Sequence, residues 1–241
     1  MTHEFDMVRS LAAGVESRAG AWEFIRGFVA DWLRPLGEDD GWAESDLTAA
    51  EGRLGLRLPL ALREAYLLLG RRPDLTSNHD VLLSPAELYV DDAGEALVFR
   101  HENQGAASWG ILLGELTAED PAVLIRADLA DKDAEKWEGW LERLSLAFVE
   151  IVLAESVQAD GDLCDFLTDL DDHGTDVLER NCARLPFPVY PPDETPGTRW
   201  FLGPDVLLCD HGMGLFARGR TEADLDKIRD LIPGDWLNDF R

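Results

Sequence analysis

Cysteine is scarce in this chain, and the spacing of its cysteines argues against structural disulfide bonds. Cys164, Cys182 and Cys209 are odd in number, lie far apart and form no Cys-x-x-Cys pair. Small secreted proteins depend instead on several cysteines that join in pairs to form a framework. We therefore expect the chain to work in a reducing compartment and to be cytoplasmic.

Long apolar runs and common catalytic motifs are also missing. No run approaches the roughly 20 apolar residues that a membrane-spanning helix needs. The opening residues, MTHEFDMVRS, lack the basic and apolar regions of a secretory signal. The sequence contains no Gly-x-Ser-x-Gly or Walker pattern. We expect no enzyme activity, no catalytic residues and no cofactor, although acid–base pairs dispersed among the many carboxylates remain an open alternative.

Basic side chains are few, so the chain is strongly acidic. It carries 22 Lys and Arg against 48 Asp and Glu, a formal charge of −26. Such a chain repels nucleic acid phosphates and anionic lipid, and we expect neither as a partner. A basic protein would be attracted and would associate faster at low salt. Taken alone, the charge is explained more simply by solubility, which needs no partner.

The remaining composition is that of a folded chain with a core. Its 241 residues, 46% of them hydrophobic, suit one domain with a substantial extension. Helical periodicity predicts helices over 5–36, 132–154 and 221–232, with shorter helical pieces at 163–170 and 177–182. Strands are predicted at 81–83, 88–90, 96–100, 109–113, 123–126, 200–202, 206–209 and 215–217. The proline-rich segment 185–197 is expected to be extended and irregular.

A bent pair of helices is predicted between Thr48 and Gly70. Thr48 and Glu51 have the spacing of a capping box, in which each side chain satisfies a free backbone N–H. Gly55 favours a break in the helix, and Pro59 suits the first turn of a second helix. Gly70 is expected to end that helix as a left-handed cap.

Several segments in a fixed order resemble the SMI1/KNR4 (SUKH) superfamily. The opening helices of that family are similar to the series Glu51, Leu54, Gly55, Leu58, Pro59, Leu62, Tyr66 and Gly70. Residues 97–99, 102–104 and 109–111 resemble its central hairpin, 120–123 its next strand, and 137–154 the helix that ends its core. The resemblance covers roughly residues 43–156, and no single motif in it is specific.

The resemblance implies a fold. Family members have an α+β core, in which a twisted mixed or antiparallel sheet is flanked by helices. Residues 1–42 would then be an N-terminal helical extension, and 43–156 the SUKH-like core. Residues 157–241 would form a C-terminal extension of strands and a helix. We expect these last strands to extend or cover the main sheet rather than form an independent domain.

The resemblance also implies a role. Many bacterial members are immunity proteins that bind and neutralise a cognate toxin domain, often a nuclease. An acidic inhibitor suits a basic toxin, and stoichiometric occlusion of this kind needs no turnover. One alternative is a regulatory or scaffolding protein of the same family without a toxin partner. Another is a hydrolase that uses several convergent carboxylates. The sequence leaves the oligomeric state open.

Candidate partner-binding residues lie around the predicted hairpin. An acidic turn precedes its first strand and a polar loop follows it, and we expect the two to share one rim. The candidates are Asp91, Asp92, Glu95, Glu102, Asn103, Gln104 and Trp109. A tryptophan on a central strand is more often part of the core, and acidic turns are more often merely solvated.

Two short segments resemble fragments of metal or thiol sites, and neither supports one. Asp169 to Gly174 matches the start of a calcium loop, but the fifth position is His173 and the twelfth is Arg180. Cys209 and His211 are expected to share one strand face, yet no other cysteine or histidine has a compatible spacing for zinc. We therefore predict an acidic loop, a strand edge and no metal site.

Overall fold

The fold is α+β, as the sequence predicts. The computed structural model describes residues 5–192 and 197–238. The helices in these residues are α1 (Met7–Glu16), α2 (Arg18–Trp32), α3 (Glu44–Leu54), α4 (Leu60–Leu69), α5 (Pro73–Thr76), α6 (Leu144–Val157), α7 (Asp172–Asn181) and α8 (Glu222–Leu231). Three short 3-10 turns lie at Glu38–Asp40, Leu113–Glu115 and Lys132–Ala134.

The strands form two separate antiparallel sheets. The first contains β1 (Val81–Leu82), β2 (Tyr89–Val90), β3 (Ala96–His101), β4 (Ala107–Leu112), β5 (Val123–Ala127) and β6 (Glu138–Leu141). Its order is β1-β3-β4-β5-β6, with β2 also paired to β3. The second contains β7 (Cys164–Leu167), β8 (Ala183–Arg184), β9 (Arg199–Gly203), β10 (Val206–Asp210) and β11 (Leu215–Gly219), in the order β7-β11-β10-β9-β8. The C-terminal strands therefore do not extend the first sheet.

Helix α6 connects the two sheets through a common core. Every residue from Leu144 to Val157 is buried, so the helix is enclosed on all sides rather than amphipathic. It packs against α1, α2, α4 and α5 and against β10 and β11 of the second sheet. A single apolar cluster accordingly runs from Leu11 in α1 through Phe148 in α6 to Trp200 and Leu207 in the second sheet.

The bent helix pair forms as predicted, but its caps differ from the prediction. Helix α3 begins four residues before Thr48, and the Asp46 carboxylate accepts the Ala43 N–H at 3.1 Å. The capping-box assignment of Thr48 and Glu51 is therefore wrong. Glu51 is instead buried near the end of α3, where its carboxylate accepts the Leu58 N–H at 3.0 Å and spans the bend. Gly55 has φ +68° and supplies the left-handed cap of α3.

Gly70 is not a left-handed cap, and a packing constraint favours glycine there. Its φ of −64° is accessible to any residue. A Cβ at this position would lie 2.6 Å from Trp42 Cδ1 and 2.8 Å from Tyr66 Cδ1. Trp42 lies across the helix end, and its indole N–H donates to the Gly70 carbonyl at 2.9 Å. The side chain of Trp42 therefore occupies the space that any larger residue would need.

The predicted long helix over 132–154 is wrong in its first half. Glu138–Leu141 forms strand β6 instead, with Gly139 opposite Leu124 of β5. Glycine weakens a helix, and the pairing with β5 outweighs local periodicity. Trp137 donates its indole N–H to Asp91 at 3.1 Å and so fixes the approach to β6.

Smaller differences concern other predicted helices. The segment 5–36 contains two helices rather than one, because Ser17 has extended backbone and caps α2 by accepting the Gly20 N–H at 3.1 Å. Residues 164–167 form strand β7 and not a helical piece. Residues 193–196 of the proline-rich segment and the first four residues of the chain lie outside the described ones. No helix in the described part of the chain has the length and apolar character to cross a bilayer.

Replacing Gly70 by alanine tests the packing under Trp42. The added Cβ forces Trp42 or Tyr66 to shift, so we expect the free energy of unfolding to fall by about 1–3 kcal/mol. Urea unfolding followed by far-UV circular dichroism measures this loss. The matched control is Gly52→Ala, because Gly52 is exposed within α3 and a Cβ there meets nothing within 4 Å. Gly52→Ala should raise stability by up to about 1 kcal/mol; equal effects at both positions would contradict the interpretation.

Candidate functional site

The polar loop after β3 is a hairpin turn organised by Glu102. One oxygen of its carboxylate accepts the backbone N–H groups of Gln104 at 2.7 Å and Ala106 at 2.9 Å. Gly105 completes the turn with φ +77°. Gln104 and Asn103 are exposed, and the Asn103 amide nitrogen lies 3.2 Å from both ring nitrogens of His79. Glu102 therefore has a clear structural role, and Asn103 points to a neighbouring histidine.

The acidic turn before β3 is built around a buried carboxylate. Asp91 accepts the backbone N–H groups of Glu95 at 2.7 Å and Ala96 at 3.0 Å. Its second oxygen lies 2.8 Å from Arg126 and 3.1 Å from Trp137. Burial alone would raise the pKa of Asp91, but these donors and the Arg126 charge lower it. Asp91 thus holds the turn together.

The two turns do not share a rim. Asp92 and Glu95 are exposed at the start of β3, and Asn103 and Gln104 are exposed just beyond its end. The strand has six residues, and at about 3.3 Å per residue it separates the turns by about 20 Å. The expectation of one common rim is therefore wrong, because both turns belong to the same extended strand.

Trp109 lies inside the protein beside a buried arginine. Its side chain is buried, and the Arg100 guanidinium carbon lies 4.5 Å from the centre of its ring. Trp140 meets it edge-on, with ring centres 5.7 Å apart. In the described part of the chain the indole nitrogens of both tryptophans are buried without a hydrogen bond. This position makes Trp109 a core residue that covers Arg100.

Arg100 lies at the centre of a buried cluster of three carboxylates. Its Nη2 lies 3.0 Å from Asp80 and 2.8 Å from Glu155, and its Nη1 lies 3.1 Å from Glu150. Arg100 and Glu155 are almost wholly excluded from solvent, and Asp80 and Glu150 are buried. Charges in such surroundings persist only when they are paired and hydrogen-bonded.

Sheet geometry and helix α6 bring this cluster together. Phe99 is the extra residue of a β-bulge between β3 and β4, a feature that commonly re-aims a neighbouring side chain. The β1–β3 register places Arg100 opposite Leu82, two residues after Asp80. Glu150 and Glu155 come from α6, where they are the two charged residues of a helix that is otherwise apolar except for two serines. Two carboxylates within so apolar a run are the sequence signal for this cluster, which the candidate residues did not include.

The cluster has an excess of negative charge, and the pKa values of two of its acids are raised, chiefly by burial. Three carboxylates face one guanidinium, so full ionisation would leave a formal charge of −2. Burial raises the pKa of Glu150 to about 7, against the attraction of Arg100. Burial also raises the pKa of Asp80. The Asn103 backbone N–H acts to lower it, yet Asp80 Oδ1 is buried without a partner that meets hydrogen-bond geometry.

Hydrogen bonds connect the cluster to the second sheet. Tyr190 donates to Glu150 at 3.2 Å, and the Trp200 indole N–H donates to the Tyr190 hydroxyl at 3.1 Å. The described chain has surface cavities of about 690, 750 and 240 Å³, and none of these has Arg100, Glu150 or Glu155 in its wall. Within the described residues, the raised pKa of Glu150 therefore reflects burial in a structural network and not a position in one of these cavities.

One group of side chains in the described chain has the spacing of a metal-ligand set. His79, Asp80 and Glu102 each offer a ligand atom, and these atoms all lie within 4.8 Å of one another. Asp80 directly precedes β1 and Glu102 directly follows β3, so the pairing of these two strands brings them together. Of the three, only Glu102 is among the residues proposed from sequence.

The two sequence fragments considered for metals have structural roles. Asp171 accepts the Gly174 N–H at 2.7 Å and caps α7, which continues through the positions that a calcium loop would need. Burial raises the pKa of the Cys209 thiol well above its usual range. His211 instead stacks on Phe166, with ring centres 5.7 Å apart.

An acidic groove lies at the edge of the second sheet. Its volume is about 690 Å³, and it is bounded by the end of α6, strand β7 and helix α8. Its wall carries five carboxylates and one guanidinium, a formal charge of −4 with histidine neutral, from Asp160, Asp162, Asp165, Glu222, Asp226 and Arg229. Asp165 binds Arg229 at 2.6 Å, so this cation is already neutralised within the wall.

Two aromatic rings also line the acidic groove. Phe166 and Phe216 are half-buried, with ring centres 4.5 Å apart. Asp160, Asp162 and Glu222 are exposed around them. Aromatic faces beside carboxylates favour guanidinium and ammonium groups, because both attract a cation. The acidic groove is thus suited to basic side chains of a partner.

Comparison of the chain with protein-family models, with curated proteins and with solved structures found no match.

Replacing Glu150 by glutamine tests the buried acid. Its raised pKa means that the folded chain holds this proton more tightly than the unfolded chain does. The stabilisation of the fold by the protonated Glu150 is therefore complete below the pKa of about 4.3 that glutamate has in the unfolded chain. It is lost as the pH rises through about 7. We expect wild-type stability to fall by on the order of 3 kcal/mol relative to Glu150→Gln across this window.

Urea midpoints measured between about pH 5 and pH 8.5 check this difference. Glu95→Gln is the control, because Glu95 is exposed, and its curve should run parallel to that of wild type. A Glu150→Gln curve parallel to wild type would show that Glu150 is ionised in the folded chain throughout this range.

Proposed function

We propose that this chain is an immunity protein of the SMI1/KNR4 (SUKH) type, which binds a basic toxin domain and blocks it stoichiometrically. The acidic groove is the observation that carries the proposal. It combines a formal charge of −4 with a half-buried aromatic pair, Phe166 and Phe216. A basic protein that must hold nucleic acid phosphate, such as a nuclease, would present complementary charge to this surface.

Charge and aromatic contact would contribute differently to the complex. The net charge of −26 steers a basic partner toward the chain and raises the association rate, an effect that salt screens. The exposed parts of Phe166 and Phe216, which also contact His211, would add cation–π and apolar contact with the partner, which slows dissociation. Occlusion of this kind needs no bond making, no cofactor and no catalytic group from this chain.

The segments that carry the family resemblance support the proposal by their arrangement. Glu51, Gly55 and Tyr66 each have a specific task in the α3–α4 pair, and Tyr66 donates its hydroxyl to the Leu83 carbonyl at 2.6 Å. The resembling hairpin is β3–β4, and β5 follows it in the same sheet. This is an α+β arrangement of helices followed by a sheet, which is compatible with the proposed family, although the start of the segment 137–154 forms strand β6 rather than helix.

The two alternative functions predict results that differ from those expected of an immunity protein. A regulatory or scaffolding relative would bind a partner without abolishing its activity. An acid-site hydrolase would need its convergent carboxylates to reach a cavity. Asp80, Glu150 and Glu155 do converge, but the walls of the three described cavities do not include them. The binding role is therefore the better supported of these functions.

The first experiment is co-purification of the chain with toxin domains encoded near its gene, followed by a toxicity assay. We expect a one-to-one complex with a basic domain, loss of the toxin's activity, and weaker binding as the salt concentration rises. A complex that leaves the toxin active would favour the scaffolding alternative. Absence of binding to any basic domain would refute the proposal.

Neutral variants of the acidic groove test its part in binding. In the triple variant Asp160→Asn, Asp162→Asn and Glu222→Gln, three exposed rim charges are removed with little change in shape. We expect the dissociation constant of the complex to rise by at least about tenfold at low salt, measured by surface plasmon resonance. The control is Asp92→Asn with Glu95→Gln, which removes two exposed charges at the acidic turn of the first sheet. A larger loss in this control would move the binding surface to that turn.

A further inference from the structure

We propose that His79, Asp80 and Glu102 form a binding site for a divalent transition-metal ion. The site lies between the segment that precedes β1 and the turn that follows β3. Ligand atoms of the three side chains lie within 4.8 Å of one another. The inference does not depend on the toxin-binding role, and it departs from the sequence-based expectation of no metal.

An unpaired oxygen points independently to a cation. Asp80 is 7% exposed, and its Oδ1 is buried without a hydrogen bond in the described chain. Its Oδ2 is already engaged by Arg100 at 3.0 Å. The Asn103 backbone N–H acts on the Asp80 carboxylate, but Oδ1 has no partner with hydrogen-bond geometry and so recovers little of its lost solvation free energy. A metal ion held at this oxygen would supply the missing partner.

The backbone around the site is already held in position. Glu155 accepts the N–H of His79 at 2.6 Å and that of Asp80 at 3.2 Å. Glu102 is held by the two turn N–H groups that its Oε2 accepts. Only the His79 side chain is exposed and has room to turn toward an ion. Ligands supported in this way by a second layer of hydrogen bonds bind metal more tightly.

The charge balance favours a cation at this place. With every carboxylate ionised, Asp80, Glu102, Glu150 and Glu155 give a formal charge of −4, and Arg100 contributes +1, which leaves −3. A divalent ion at the site reduces this excess to −1. Glu155 contacts both Arg100 and the backbone of His79 and Asp80, so it links the buried cluster to the candidate metal site.

The ligand types select the class of metal. One imidazole nitrogen with two carboxylate oxygens suits Zn²⁺ or Mn²⁺, whereas Ca²⁺ takes six to eight oxygen ligands. Tetrahedral zinc with bonds of about 2.0–2.1 Å requires ligand atoms about 3.4 Å apart. The three ligand atoms, which lie within 4.8 Å of one another, would therefore have to move closer together on binding the ion. Three protein ligands leave one position for water or for a partner side chain.

Isothermal titration of the untagged, reduced chain with ZnCl₂ tests the site. We expect one equivalent to bind and the unfolding midpoint to rise with zinc concentration, as linkage requires. His79→Ala should weaken binding by at least about tenfold while leaving the metal-free unfolding midpoint unchanged, because His79 is exposed. Glu102→Gln removes one charged ligand but keeps an oxygen for the turn, and should weaken binding as well.

His173→Ala is the matched control, since His173 is an exposed histidine of helix α7 outside the ligand group. This variant should bind zinc as wild type does. Equal zinc binding by wild type and His79→Ala would overturn the proposal, as would the absence of zinc binding. Calcium binding in place of zinc, lost in Glu102→Gln but kept in His79→Ala, would overturn the assignment to a transition metal.

Discussion

The structure depends on the burial of two carboxylates in helix α6. Every side of this helix is covered, yet it carries Glu150 and Glu155. A buried carboxylate without a counter-charge is costly, so the surrounding elements have to deliver one. Arg100 on β3 does so, and Trp109 covers it from the neighbouring strand. The position of the first sheet relative to α6 is thus fixed by charge as well as by apolar packing.

Carboxylates in the core and carboxylates on the surface of the protein are in opposite environments. Within the core, carboxylates outnumber the guanidinium, and protonation of Glu150 relieves part of the excess. On the surface, exposed carboxylates of the acidic groove stay hydrated and act at a distance. The proposed metal site lies between the buried cluster and the surface, because His79 lines the acidic groove and Asp80 belongs to the buried cluster.

The sequence predicts those helices and strands that are determined by residues close to one another in the chain. The α3–α4 bend follows from Gly55 and Pro59, and β3, β4 and β5 follow from short apolar runs between turns. Strand β6 is missed because its partner, β5, supplies the decisive hydrogen bonds from elsewhere in the sequence. Gly139 weakens the helix, but only the pairing with Leu124 makes a strand there.

The candidate sites are harder to predict for the same reason. Arg100 meets Glu150 and Glu155 across 50 and 55 residues of chain, and no local pattern encodes those contacts. Glu102 was a candidate from its place in a polar loop, but its nearness to Asp80 depends on the β1–β3 pairing. Tyr190, which lies between β8 and β9, also donates a hydrogen bond to Glu150 of helix α6. Helix α6 packs against both sheets, and its apolar cluster contains residues of both, although the second sheet also shares a cluster of its own with α7 and α8. Unfolding of either sheet would expose α6, so thermal denaturation should proceed as a single cooperative transition.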